Sequence, residues 1–125
     1  MNSVVHFEVP AKDLNRAKQF YSKVFGWGTY DMDDKNTMVS TTETDQNGFP
    51  VKPGAINGSI YLPDKSKTPT FVIDVPNLEE HIKMVTENGG KLVDEPVTIE
   101  NMGRYARFVD PEGNLVGLWE TLPMK

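Results

Sequence analysis

The chain has 125 residues, no cysteine, and 18 acidic against 13 basic residues, for a formal net charge of −5. A chain of this length fits one domain with a sizeable core, and the lack of cysteine excludes disulfides, thiolate catalysis and cysteine-ligated zinc. The basic residues are scattered and there is no leader pattern or long apolar run, so we expect a cytoplasmic protein with no nucleic-acid and no membrane partner.

The N-terminal residues predict a strand followed by a helix. In VVHFEVP, residues 4–10, apolar residues at odd positions alternate with His6 and Glu8, which is the two-residue period of a strand. Asp13 is suited to cap the helix LNRAKQFYSKVF, and Gly26 directly after it is suited to end that helix. We expect the odd-numbered strand positions to face the helix.

A second segment repeats this order. TFVIDVP, residues 70–76, again alternates as a strand, and Asn77 with Glu80 three residues later matches a capping box. Leu78, Ile82 and Val85 then recur at helical spacing up to the Gly89-Gly90 pair.

The two segments can be superimposed as an internal repeat. The offset is 66 residues before the helix and 64 within it, and matching positions are Val9 with Val75, Phe20 with Met84 and Gly26 with Gly90. Strand-like runs follow each helix, near residues 28–33, 37–42 and 55–62, and near 91–99, 104–109 and 114–120. We predict a single domain, residues 1–125, made of two β-α-β-β-β units at about 1–64 and 65–125, with residues 63–69 as the linker.

Three segments carry a resemblance to a known family. HFEVPAKDLNRAKQFYSKVFGW, NGGKLVDEP and ARFVDPEGNLVGLWE resemble the vicinal oxygen chelate superfamily, which includes glyoxalase I, extradiol dioxygenases, fosfomycin-resistance enzymes and bleomycin-binding proteins. They look closest to its small glyoxalase-related branch. The resemblance implies an α+β fold in which the two units form a curled, mostly antiparallel sheet, with helices on the outer face and a ligand cleft on the concave face. It also implies a homodimer.

The acidic segment DPEG, residues 110–113, predicts a turn. Pro111 presets the first corner, Asp110 can accept backbone hydrogen bonds, and Gly113 can supply the positive φ of a hairpin loop. Strand alternation places Glu120 on the helix side of the last strand.

The resemblance also assigns four positions for metal ligands in the metal-dependent relatives. These are His6, Asn57 or Gly58, Thr70 and Gly117. Gly117 has no side chain, a threonine hydroxyl is a poor ligand for such ions, and a catalytic site needs about three protein ligands. We therefore predict no standard divalent-metal site. Any cofactor stays unknown, because a rearranged ligand set would bypass these positions.

Strand alternation selects the residues that face the cleft. His6 and Glu8 are the catalytic candidates, since a histidine beside a carboxylate could act as a general base with a raised pKa. The candidates for binding a small-molecule ligand share polar or aromatic character: Thr70, Asp74, Tyr105, Arg107 and Trp119. Structural roles remain open for each, including a hydrogen-bonded strand histidine, a salt bridge from Arg107 to Glu8 or Asp74, and core packing by Trp119.

Three functions remain open at this point. The first is a glyoxalase/bleomycin-resistance-like protein that binds a small molecule without the usual metal. The second is a glyoxalase-like lyase or dioxygenase-like enzyme, with a rearranged metal site or with metal-free chemistry at His6 and Glu8. The third is a dimeric regulatory or interaction protein with a vestigial cleft.

Overall fold

The computed structural model describes residues 1–64 and 67–122 and contains two helices and nine strands. In these residues no helix is both long and apolar enough to cross a membrane. The chain divides into two compact units: an N-terminal unit, His6–Pro69, and a C-terminal unit, which combines Met1–Val5 with Thr70–Lys125. The predicted boundary after residue 64 and part of the predicted linker fall at residues 65 and 66, outside the described residues.

The N-terminal unit has the order β-α-β-β-β. Its sheet runs β2-β3-β4-β1, with β1 parallel to β4 and the other neighbours antiparallel. The elements are β1 (Val4–Pro10), α1 (Leu14–Phe25), β2 (Gly28–Asp31), β3 (Asn36–Ser40) and β4 (Asn57–Tyr61).

Helix α1 begins and ends where its sequence predicts. The Asp13 carboxylate accepts a hydrogen bond from the Arg16 backbone N–H at 3.0 Å, which satisfies one of the open donors of the first turn. Gly26 has φ 73° and ends the helix in the left-handed conformation that glycine adopts without steric cost.

The α1 side of this sheet holds the core of the unit. Val39 and Ile60 are almost fully buried, and Phe7 lies 5.5 Å from the ring of Trp27. Trp27 in turn stacks on Tyr21 of α1, with 4.7 Å between ring centroids. Because Phe7 faces the helix, His6 and Glu8 lie on the opposite face, as alternation predicts.

The C-terminal unit repeats the order with one extra short strand. Its sheet runs β5-β9-β8-β6, with β7 also paired to β8; β5 and β9 are parallel and the other pairs antiparallel. The elements are β5 (Thr70–Asp74), α2 (Leu78–Glu87), β6 (Lys91–Leu92), β7 (Val97–Ile99), β8 (Gly103–Val109) and β9 (Leu115–Thr121).

The expected strand over residues 91–99 is wrong in one respect, because it is split into β6 and β7. Pro96 lies in the gap and has no N–H to donate to a ladder, and the Asp94 side chain pairs with Arg107. Otherwise the prediction of an α+β fold with repeated β-α-β-β-β units and mostly antiparallel pairing is confirmed.

Two acidic residues of the C-terminal unit serve the fold. The Asp110 carboxylate accepts hydrogen bonds from the backbone N–H groups of Glu112 at 2.8 Å and Asn114 at 2.9 Å, and the hydrogen bonds with Asn114 hold its pKa below the ordinary value. Glu120 accepts a hydrogen bond from the Leu78 N–H at 2.6 Å and so caps α2. The predictions of a turn and of a helix-facing Glu120 are confirmed.

Candidate functional site

The two predicted catalytic residues lie on the face of the N-terminal sheet opposite α1. His6 is aligned with Asn57 and Glu8 with Ser59 on the neighbouring parallel strand β4, so these side chains project from the same face. Ser59 is 7% exposed. The fold therefore brings an imidazole, a carboxylate, an amide and a hydroxyl onto one small patch of sheet.

His6 is half-buried, and burial lowers its pKa from 6.5 to about 4. The hypothesis that its neighbour Glu8 raises this pKa is wrong in direction, because desolvation disfavours the charged imidazolium. At neutral pH the ring is uncharged, with one nitrogen as donor and the other as acceptor. Such a group can bind a ligand, but its basicity is low for a general base at pH 7.

Four of the five predicted binding residues lie in two adjacent rows on the face of the C-terminal sheet opposite α2. One row crosses the sheet through Asp74, Trp119 and Tyr105, and the next through Val72, Gly117 and Arg107. Thr70 lies at the start of β5 and is 5% exposed. These assignments to a ligand site stay predictions, but the fold does place the side chains together.

Gly117 is the central position of this face. A Cβ atom built on it would lie 2.9 Å from Val72 Cγ2, 3.0 Å from Tyr105 Cε1 and 3.3 Å from the Tyr105 hydroxyl oxygen. The Tyr105 side chain therefore reaches across β9 and covers Gly117, an approach that only glycine permits without displacement. A phenol group thus takes up the space in which a side chain at position 117 would begin.

Arg107 forms an ion pair with Asp94, with 2.7 Å between Nη2 and the carboxylate oxygen. Its side chain is 12% exposed, so the guanidinium needs such a partner to offset the loss of water. The partner of Arg107 is therefore neither Glu8 nor Asp74, the two acids that strand alternation had suggested, in this ion pair. The available signal was the acidic pair before Pro96, at the break between β6 and β7.

Trp119 is held by its own sheet. Its indole N–H donates to the Thr121 hydroxyl at 3.0 Å, and its six-membered ring lies against Gly103, where a Cβ would collide with it. The ring is half-buried. One edge is thus fixed by packing, and its use as a platform for a ligand stays a prediction.

The metal-ligand positions implied by the resemblance do not fit a metal in this chain. Gly117 offers no donor and is covered, Gly58 faces Phe7 on the α1 side, and the Asn57 amide oxygen already accepts from the Thr41 N–H at 2.9 Å. In residues 1–64 and 67–122 no group of three or more histidine and carboxylate side chains is arranged to hold a metal ion.

Comparisons with known proteins agree with the fold. The family model of the Glyoxalase/Bleomycin resistance protein/Dioxygenase superfamily matches residues 3–118. A glyoxylase-like domain-containing protein of Didymella fabae is 30% identical over 115 residues, which cover 86% of this chain and 84% of that protein. CFP32 of Mycobacterium bovis, provisionally named a glyoxylase, is 29% identical over 119 residues; they cover 90% of this chain but only 43% of CFP32.

Among solved structures, a methylmalonyl-CoA epimerase of Streptomyces coelicolor superimposes with a TM-score of 0.70. The match covers 96% of this chain and 97% of the epimerase, at 14% sequence identity. At that identity the similarity shows the fold alone.

Proposed function

The chain belongs to the glyoxalase/bleomycin resistance protein/dioxygenase superfamily, and we propose that it binds a small organic molecule through side-chain hydrogen bonds instead of the metal ligands of its metal-dependent relatives. The observation that carries this proposal is the position of Tyr105 over Gly117. A tyrosine hydroxyl, which can donate and accept hydrogen bonds, lies over the position where the resemblance places a metal ligand. The proposal keeps the expectation of a cytoplasmic protein whose partner is a small molecule.

The rest of the C-terminal face suits such a ligand. Trp119 supplies apolar surface, and Asp74, Tyr105 and Arg107 supply polar groups on neighbouring strands. Ligand sites in proteins commonly combine apolar walls with a few polar groups that fix the orientation. A ligand with an aromatic or acyl group along Trp119 and a polar group at the Tyr105 hydroxyl would contact both the apolar surface and the polar groups.

An enzyme of the glyoxalase-like or dioxygenase-like kind is the second candidate. It is favoured by one observation, that His6 and Glu8 project from the same face of β1 beside Ser59. Two relatives carry glyoxylase names, and a solved neighbour is named an epimerase. The lowered pKa of His6 makes it a weak base, so binding without turnover is the better-supported function.

Tryptophan fluorescence tests the proposal. The chain has two tryptophans, so Trp27→Phe leaves Trp119 as the only reporter on the proposed face. We would titrate this variant with propionyl-CoA, with small aromatic carboxylates and with small aromatic amines. We expect saturable quenching by at least one probe, weakened by Tyr105→Phe, which removes only the hydroxyl, and unchanged by the control Tyr30→Phe on exposed β2.

Calorimetric titration of chelator-stripped protein with Ni²⁺, Zn²⁺, Co²⁺ and Mn²⁺ tests whether the protein binds a divalent metal ion. We expect no tight 1:1 binding. Micromolar binding that is lost in His6→Ala would contradict the proposal and favour a metal enzyme with a rearranged ligand set. Turnover of any of these probes that is lost in His6→Ala, without added metal, would favour the second candidate.

A further inference from the structure

Asp74 places a carboxylate without a partner on the face of the C-terminal sheet opposite α2. Its backbone N–H donates to the Ser3 carbonyl oxygen at 2.9 Å, and its carbonyl oxygen accepts from the Asn2 side-chain amide at 3.2 Å. Within residues 1–64 and 67–122 the carboxylate itself takes part in no ion pair or hydrogen bond. Because Asp74 is half-buried, this charge has lost part of its water without gaining a cation in return.

The positive charge on the same face is already compensated. Arg107 pairs with Asp94 at 2.7 Å, and its side chain is only 12% exposed. An anionic ligand would have to compete with the Asp94 carboxylate for this guanidinium. Among the predicted binding residues, the charge that lacks a partner is therefore the negative one of Asp74. The net charge of −5 acts in the same direction, because it attracts cations and repels anions.

Two aromatic side chains border the space beside this carboxylate. Asp74, Trp119 and Tyr105 form one row across the sheet. The indole leans onto Gly103 and the phenol onto Gly117, each two residues before its strand's member of the row. Since β8 and β9 are antiparallel, these glycines lie on opposite sides of the row and the two rings lean away from each other. This leaves a trough above the row, with the Asp74 carboxylate at its β5 end, which we call the Asp74 trough.

We propose that the small molecule bound by this face is an organic ammonium ion whose positive group lies in the Asp74 trough. This inference rests on the proposed function and narrows it to one class of ligand. The ammonium group donates hydrogen bonds to the Asp74 carboxylate, and its charge is attracted by the π system of Trp119, the strongest among the aromatic side chains. The apolar part of the ligand extends along the indole. A carboxylate or phosphate group in the same position would be repelled by Asp74.

Three probes that share a phenylethyl group and differ in charge test the ligand class. They are 2-phenylethylamine, which is a cation at about pH 7, neutral 2-phenylethanol and anionic 3-phenylpropanoate. Each is titrated into the Trp27→Phe variant, with Trp119 fluorescence and calorimetry as independent measures of Kd. We expect the amine to bind about tenfold more tightly than the alcohol, because it adds a charge-assisted hydrogen bond, and the propanoate to bind most weakly. The preference should shrink as salt rises from about 50 to 500 mM.

Matched variants separate the Asp74 carboxylate from the overall charge. Asp74→Asn removes the charge, keeps the shape and leaves the backbone hydrogen bonds of this residue in place, so circular dichroism and the urea midpoint should match the wild type. It should raise the Kd of the amine to that of the alcohol, whereas Asp74→Glu, which keeps the charge, should retain the preference for the amine. The control Asp34→Asn makes the same change in charge at an exposed position of the N-terminal unit and should leave all three Kd values unchanged.

Tyr105→Phe distinguishes failure of this inference from failure of the proposed function. It should weaken all three probes by a similar factor, whereas Asp74→Asn should act on the amine alone. An alcohol or propanoate that binds as tightly as the amine, and is still weakened by Tyr105→Phe, would overturn the ammonium class and leave the proposed function standing. A preference for the amine that Asp74→Asn does not reduce would overturn the position of the ammonium group at Asp74. Absence of saturable binding by every probe, including those named for the proposed function, would overturn both.

Discussion

Replacing Gly117 by alanine should destabilise the protein through contact with Val72 and Tyr105. The new Cβ would lie 2.9 Å from Val72 Cγ2 and 3.0 Å from Tyr105 Cε1, roughly half an ångström or more inside the optimal carbon–carbon separation of about 3.5–4.0 Å. Val72 is 2% exposed and has no space to retreat. Gly117 is not among the glycines with positive φ, so the cost is steric, and overpacking of this kind costs about 1–3 kcal/mol.

Urea denaturation of Gly117→Ala measures this cost as a change in the free energy of unfolding. Gly28→Ala is the matched control, because its Cβ would lie 3.8 Å from Ser40 Cβ, an ordinary contact, also in a strand. We expect this control to match the wild type or to be slightly more stable. Adding Val72→Ala to Gly117→Ala should recover part of the loss, as positive coupling in a double-mutant cycle. Equal stability of Gly117→Ala and Gly28→Ala would refute the close packing of Tyr105 on Gly117.

Three further substitutions test the burial of His6, the hydrogen bond accepted by Glu120 and the ion pair of Arg107. The free energy of unfolding should fall as pH is lowered from 6.5 through 4, because the unfolded chain protonates His6 before the folded chain does. By pH 4 the loss from this residue is about 3 kcal/mol, and this loss should disappear in His6→Gln. A His6→Gln variant with the same pH dependence as the wild type would contradict the lowered pKa. Glu120→Ala should cost about 1 kcal/mol in thermal or urea unfolding, because it removes the cap on the Leu78 N–H, with Glu112→Ala, a turn-tip residue, as a neutral control. Asp94→Ala should cost roughly 2–4 kcal/mol, because it removes the carboxylate that pairs with the largely buried Arg107 guanidinium. A loss no larger than that of an exposed Asp→Ala change would show that the pair is not buried in solution.

Features that depend on a few neighbouring residues were predictable. Asp13 and Gly26 mark the ends of α1 because their hydrogen bonds reach only three or four residues along the chain. The turn at Asp110 is local in the same way. The alternation that assigns His6 to one face and Phe7 to the other follows from the geometry of a strand.

The sequence predicted which residues share the face of the candidate site, but not which of their side chains contact one another. Alternation selected Tyr105, Arg107 and Trp119 as residues of one face, and the structure places them on neighbouring strands. It could not show that Tyr105 lies over Gly117 or that Arg107 pairs with Asp94. Those contacts depend on the register between strands that are distant in sequence and on the course of the loop after β6.

The sequence by itself determined the repeated β-α-β-β-β order, the helix ends, the turn and the absence of a ligand side chain at position 117, because each follows from local hydrogen bonding or from residue identity. Only the tertiary structure decided that burial lowers the pKa of His6, that Tyr105 covers Gly117 and that Phe20 and Met84 remain exposed. Desolvation, close packing and exposure are set by all the atoms around a side chain, and those atoms come from segments that only folding brings together.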